Sequence, residues 1–250
     1  MNILFIDIEN LADLVWTWQR YEANAIKVFR HGHLLSCAWK WLGKKTHVVG
    51  IDDYKRYKPR SDNDLPLVKE IWKLLDKAEV VVGHNAKSFD VKKITARFIY
   101  HNFPPPSPYR IVDTKIEVKK VARFESNKLD DLGEQLGLGR KLDHEGWALW
   151  EGCYNGNKKS WAKMKAYNKQ DVDLLERLYL RLRPFMKNHP NLDNYVDNFH
   201  TCPKCESRLL IRRGYQFNQT TKYARIFCKS CKGWSRSPVN LQEKKSLISI

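Results

Sequence analysis

Two Cys-x-x-Cys pairs, Cys202-Pro-Lys-Cys205 and Cys228-Lys-Ser-Cys231, stand 22 residues apart near the end of the chain. Four thiolates at that spacing suit a closed tetrahedral zinc site. The metal supplies the cohesion that so short a segment cannot draw from a hydrophobic core. Between the pairs, Leu209-Leu210-Ile211 and Tyr223-Ala-Arg-Ile-Phe227 read as hairpin strands. Disulfide pairing would need an oxidising compartment. The opening run Met1–Asn10 meets Asp7 and Glu9 too early for a signal peptide, so an intracellular protein is expected. Cys37, in an expected strand, and Cys153, in an expected loop, are read as unpaired thiols.

The 250 residues leave ample length for a larger domain before this segment. With 42% apolar residues that domain can bury a core, yet no run reaches the ~18 apolar residues of a membrane helix. The formal charge of +17 points to a polyanionic partner, above all nucleic acid. Residues 2–8 read as a buried strand, followed by strands over 34–42 and 46–51. Helical spacing covers 65–77, 89–100, 129–138 and about 158–186. Short strands at 79–83 and 109–113 fall between these helices. The proline run 104–108 must be a loop, and Pro184 ends or kinks the last helix. Strands followed by alternating helices and strands give an α/β fold with a mixed sheet. The expected organisation is a domain over 1–188, a linker over 189–200, the cysteine segment over 201–238 and a tail over 239–250.

Three small groups of residues carry the chemistry. Asp7 and Glu9 are two apart on a strand and therefore share a face. Unless that face meets water, two adjacent carboxylates need a cation between them. Asp90 opens a helix after the turn His84-Asn85-Ala86-Lys87-Ser88-Phe89, where an acid is also ordinary first-turn chemistry. Tyr167 and Asp171 are four apart on one helical face, beside Val172, Leu174, Leu175 and Leu178. That pattern fits either an amphipathic helix with a surface acid or a half-buried acid that needs a partner.

Together, Asp7-Ile-Glu9, His84-Asn85 with Phe89-Asp90, and Tyr167-x-x-x-Asp171 resemble the three motifs of the DEDDy branch of DnaQ-like, RNase H-fold exonucleases. The proofreading domains of family B polymerases belong to that branch. Leu129–Gly137 resembles the helix these enzymes carry before their last motif, and the likeness spans roughly residues 1–186. It implies an RNase H-like mixed sheet flanked by helices and a metal-dependent 3′–5′ exonuclease acting on DNA or RNA. By position, Asp7, Glu9, Asp90 and Asp171 would hold two magnesium or manganese ions, which favour hard oxygen ligands. Tyr167 would orient the attacking water. Asn85 would support the site or the substrate, and Phe89 would pack in the core or wedge against the terminal nucleotide. His84 is read as a turn-stabilising residue and Asp113 as a helix cap.

The cysteine segment, with Gly233-Trp234 after its second pair, resembles a zinc ribbon. Residues 189–250 hold 11 Lys and Arg against 4 Asp and Glu, a formal +7. Zinc with four thiolates contributes −2, so a basic excess remains. Arg212, Arg213, Tyr215, Arg225 and Trp234 are read as contacts to single-stranded nucleic acid, such as 3′ ends, combining stacking with phosphate binding. A protein-docking ribbon is the alternative for this segment. For the whole chain, the alternatives are a structure-specific endonuclease on the same fold and a non-catalytic adaptor.

Overall fold

The computed structural model describes residues 2–19, 21, 24–191, 201–218 and 220–242. Positions 192–200 of the expected linker and 243–250 of the expected tail lie outside the described residues. The chain divides into two compact units, Met1–Tyr179 and Leu180–Ile250.

The first unit opens with β1 (Ile3–Asn10), β2 (Leu14–Trp16), β3 (Lys27–Arg30), β4 (Leu34–Trp41) and β5 (His47–Gly50). Then come α1 (Leu65–Lys77), β6 (Val80–Gly83), α2 (Asp90–Tyr100), β7 (Arg110–Asp113), α3 (Thr114–Val121), α4 (Leu129–Gln135) and α5 (Trp147–Tyr154). The helix α6 (Lys158–Leu182) runs across the division. Five strands make one mixed sheet in the order β5-β4-β1-β6-β7. The strand β1 is antiparallel to β4 and parallel to β6, so it lies at the centre of the sheet. Its residues Ile3, Leu4, Phe5 and Ile6 are all nearly fully buried. That burial explains the unbroken apolar run: a strand covered on both faces has no solvent side. This is the expected mixed sheet flanked by helices.

The helices follow their apolar stripes. In α1 the buried residues are Leu67, Val68, Ile71, Leu74 and Leu75. In α6, Trp161, Met164, Val172, Leu175, Leu178 and Leu182 recur at helical spacing and are buried. Tyr179 of α6 packs its ring edge-on against Phe5 of β1, with centroids 5.2 Å apart. That contact fixes α6 over the strand carrying Asp7 and Glu9. Pro184 follows the end of α6, as expected.

Several elements were not foreseen. The strands β2 and β3 form a separate two-stranded sheet, in a stretch without a diagnostic pattern. The short helices α3 and α5 were also missed. Cys153 consequently lies in α5 rather than in a loop, because Leu149 and Cys153 share its buried face.

In the second unit, β8 (Leu210–Phe217), β9 (Lys222–Cys228) and β10 (Trp234–Arg236) form an antiparallel sheet in the order β10-β9-β8. The first strand is longer than the expected Leu209–Ile211. A bulge between Arg212 and Tyr215 lets it continue, and Gly214 supplies the positive φ of 70° at that point.

Candidate active site

Strand alternation sends Asp7 and Glu9 to one face at the end of β1. Asp171 reaches the same place from α6 and is 1% exposed. Carboxylate oxygens of Asp7, Glu9 and Asp171 lie within 4.8 Å of one another. Tyr167, one turn before Asp171, is also buried. Asp90, the first residue of α2, is buried beside this trio but outside it. One of its oxygens accepts the backbone N–H of Ile8 at 3.3 Å, which ties α2 to β1.

Burial is the largest cause of the upward pKa shift in all four acids. It raises Asp7 well above the carboxylate range, with Asp90, Glu9 and Asp171 adding repulsion. Glu9 is pushed up to about 8 and Asp90 to about 6. Burial raises Asp171 too, while the charge and hydrogen bond of Lys141 pull it back down. Its Oδ1 is buried without a hydrogen-bond partner. Mutually repelling, desolvated carboxylates with an orphaned oxygen suit a hard divalent cation, which would restore their ionised forms. The residues therefore fit a divalent-metal site.

The match to known proteins agrees with this geometry. Residues 43–183 match the model of the RNase_H superfamily. The chain belongs to that superfamily. Membership supports a nuclease-type function on nucleic acid with divalent metal ions. Among solved structures, the chain is similar to the family B DNA polymerase from the hyperthermophilic archaeon Pyrobaculum calidifontis. The TM-score is 0.53 at 15% identity, over 74% of this chain and 25% of that one. The likeness is thus one of fold, and the chain spans a quarter of the polymerase's length. No curated protein matches the chain. Among the described residues, no helix is long and apolar enough to cross a membrane.

This RNase_H superfamily member also carries site residues that sequence reasoning missed. Lys141 brings its ammonium to Oδ2 of Asp171 and, at 3.1 Å, to the Tyr167 hydroxyl. Asn168 donates from Nδ2 to Oδ2 of Asp7 at 2.6 Å and to the Asp7 carbonyl at 3.2 Å. Its Oδ1 accepts from the Ser36 hydroxyl at 3.0 Å. Trp150 lines the same cleft as Glu9. A signal for Asn168 was present, as an uncharged polar residue on the buried stripe of α6. Lys141 had none, being one of 45 Lys and Arg.

The turn before α2 is built for shape. A Cβ on Gly83 would come within 2.4 Å of the Ala86 Cβ, and Asn85 adopts φ +72°. The Asn85 carbonyl and Oδ1 both accept from the Ser88 hydroxyl, so its side chain serves the turn. Asp113 caps α3 through the N–H groups of Lys115 and Ile116 and also accepts those of Asn85 and Lys87. His84 spans Thr114 Oγ1 and the Asn127 carbonyl, each at 2.9 Å. Burial lowers its pKa to about 4, so it is neutral and holds the turn. Phe89 is 42% exposed and lines the cleft beside Glu9. It is therefore not a core residue.

In the second unit, all four cysteine sulfurs come within 4.8 Å of one another. Cys202–Cys231 and Cys205–Cys228 are each separated by 3.7 Å. A disulfide would need about 2.05 Å. Tetrahedral zinc with Zn–S bonds of about 2.3 Å places its sulfurs ~3.8 Å apart, so the cluster fits zinc. The strands of this unit, with the four-cysteine cluster, are consistent with a small zinc-ribbon domain. Arg212 lies over Tyr215 at 5.0 Å and Arg225 over Trp234 at 5.5 Å, while Arg213 lies 5.3 Å from Phe227. Tyr215 and Trp234 remain 38% and 46% exposed.

Proposed function

We propose that the protein is a DEDDy-type 3′–5′ exonuclease that removes nucleotides from DNA or RNA ends, its ribbon helping to hold the strand. The observation that carries this reading is the meeting of Asp7, Glu9 and Asp171 within 4.8 Å, with Tyr167 one helical turn from Asp171. Asp7, Glu9 and Asp171, with Asp90 beside them, would hold two magnesium or manganese ions. Such ions activate water and stabilise the leaving oxygen in phosphodiester hydrolysis.

The chain's own residues supply position and protonation. Asn168 locks the Asp7 carboxylate against β1, so its orientation is set before any substrate arrives. Burial and Asp171 raise the Tyr167 pKa, which keeps the hydroxyl protonated. Tyr167 can therefore orient a water or a phosphate oxygen by hydrogen bonding, and is unsuited to accept a proton. Lys141, charged at neutral pH, can accompany negative charge that builds at the phosphate. The proposed division of labour is catalysis in residues 1–188 and strand holding in 201–238.

The test is a panel of 3′- and 5′-labelled DNA and RNA, single- and double-stranded, with magnesium, manganese or a chelator. Stepwise loss of nucleotides from the 3′ end, abolished by chelation, is expected. Internal cuts would favour a structure-specific endonuclease. Intact oligonucleotides throughout would favour an adaptor.

A further inference from the structure

After β1 the chain leaves the main sheet and builds the hairpin β2–β3. The hairpin precedes the span matched by the superfamily model, and it contributes nothing to the acid cluster. Its aromatic surface is unusually open: Trp16 is 65% exposed, Trp18 83%, Tyr21 93% and Phe29 45%. Contiguous exposed apolar surface marks a site of contact. Trp16 and Phe29 are contiguous, meeting edge to face with centroids 4.7 Å apart. The Lys27 ammonium stands 5.2 Å from the Phe29 ring.

The two faces of the hairpin have different surroundings. Val15 pairs with Val28 across the strands, and both line a cleft of about 830 Å³. Phe89 and Lys93 from α2 line it too, as do Trp147 and Trp150, and Glu9 is among its residues. That volume falls in the range of about 300–1,000 Å³ typical of ligand sites. Strand alternation places Trp16 and Phe29 on the opposite face from Val15 and Val28. The hairpin is thus one wall of the cleft that holds Glu9, and its far side extends aromatic surface away from that cleft.

We propose that the β2–β3 hairpin is a stacking platform for unpaired nucleobases, on the face it turns away from the cleft at Glu9. The identity of the occupant follows from chemistry and rests on the nuclease reading above. Exposed rings interleaved with cations suit a chain of planar bases joined by phosphates. Lys27 supplies the cation beside the Phe29 ring, and Lys93 adds a cation within the cleft. Bases in a duplex are already stacked on their neighbours and offer no free face. The platform therefore discriminates in favour of unpaired strands.

The test measures binding with the full chain in an Asp7→Asn background, so that cleavage does not intervene. Trp16→Ala/Phe29→Ala is expected to weaken binding of a short oligothymidine about tenfold, the worth of one stacked base. Affinity for a blunt duplex should stay within about twofold, because phosphate contacts carry it. Trp16→Tyr/Phe29→Tyr should restore binding. As an independent readout, photocrosslinking of 5-iodouracil oligonucleotide to the unsubstituted hairpin should give adducts at Trp16, Trp18 or Phe29. Unchanged single-strand affinity, equal loss on duplex, or adducts confined to the ribbon would overturn the platform and leave the hairpin as a protein-contact surface. Should the alanine variant fail to fold, the crosslinking map decides. A protein that binds the strand at the hairpin yet leaves it intact would refute the nuclease reading alone.

Discussion

The Lys141 ammonium and the Asp171 carboxylate meet inside the acid cluster, where Lys141 is the cation facing the carboxylates. It offsets the repulsion among Asp7, Glu9 and Asp171, and a divalent ion bound at Asp171 must compete with it. Lys141→Met should therefore tighten manganese binding about tenfold, a shift typical of removing one nearby charge. Electron paramagnetic resonance of free manganese measures this directly. Without metal the same variant should melt lower, since buried acids lose their counter-ion. An unchanged manganese affinity would show that Lys141 leaves Asp171 at no cost.

Asn168 is fully buried and joins three partners: the Asp7 carboxylate, the Asp7 carbonyl and the Ser36 hydroxyl. Asn168→Ala removes these bonds and leaves Ser36 and Asp7 unsatisfied. A stability loss of about 2–3 kcal/mol is expected by denaturant unfolding. Because Asp7 is freed to rotate, kcat should fall more than KM rises. Asn168→Asp should place a further negative charge in the cluster and make metal-free folding more sensitive to pH.

The proposed roles separate the acids from the tyrosine. Asp7→Asn, Asp90→Asn and Asp171→Asn should each abolish nearly all cleavage while oligonucleotide affinity largely survives. Tyr167→Phe removes one hydroxyl and leaves every carboxylate in place, so its rate should fall by about 10–100-fold. Single-turnover cleavage at saturating metal distinguishes the two classes. Equal losses in all four variants would refute the orienting role of Tyr167. Full activity in Asp7→Asn or Asp171→Asn would refute the site itself.

Elements with a strong internal period were legible in the sequence: β1 as an unbroken apolar run, α1 as a helical stripe and β6 as Val80–Gly83. The hairpin β2–β3 was not, because its strands bury little and carry no alternation that a core would impose. The helices α3 and α5 were hidden because each is only about two turns long, too short to set a clear period. Within the site, Asp7, Glu9 and Asp171 share a motif order that can be seen in one dimension. Lys141 cannot be found that way: its partner lies 30 residues on, and only folding brings them together. Asp90 shows the converse limit, since its motif is readable but its hydrogen bond to Ile8 is not.

His84 gives the fold a definite acid limit. Burial holds its folded pKa at about 4, against an unfolded value of about 6.5. A histidine depressed in this way stabilises the fold above its unfolded pKa, and that stability drains as pH falls from about 6.5 toward 4. Between pH 7 and 5 the loss amounts to about 2 kcal/mol. The raised acids of the cluster shift stability the opposite way over that interval, so the His84 contribution is read as a difference: relative to His84→Gln, the wild-type melting temperature should fall between pH 7 and 5. Identical pH dependence of melting temperature in wild type and His84→Gln would exclude a neutral, structural His84.

The two metal sites should part company under chelation. Four thiolates hold zinc far more tightly than a carboxylate cluster holds magnesium, so brief dialysis should strip the latter and leave zinc bound. Elemental analysis after dialysis checks this, and Cys228→Ser should lower the zinc content and loosen the ribbon. Truncation after Leu192 removes Arg212, Arg213, Arg225 and their aromatic partners. If these grip the strand, single-strand affinity falls and the slope of log K against log salt becomes shallower, by about 0.7 per lost phosphate contact. If the slope is unchanged while the zinc is gone, the ribbon's exposed Tyr215 and Trp234 serve a protein partner instead.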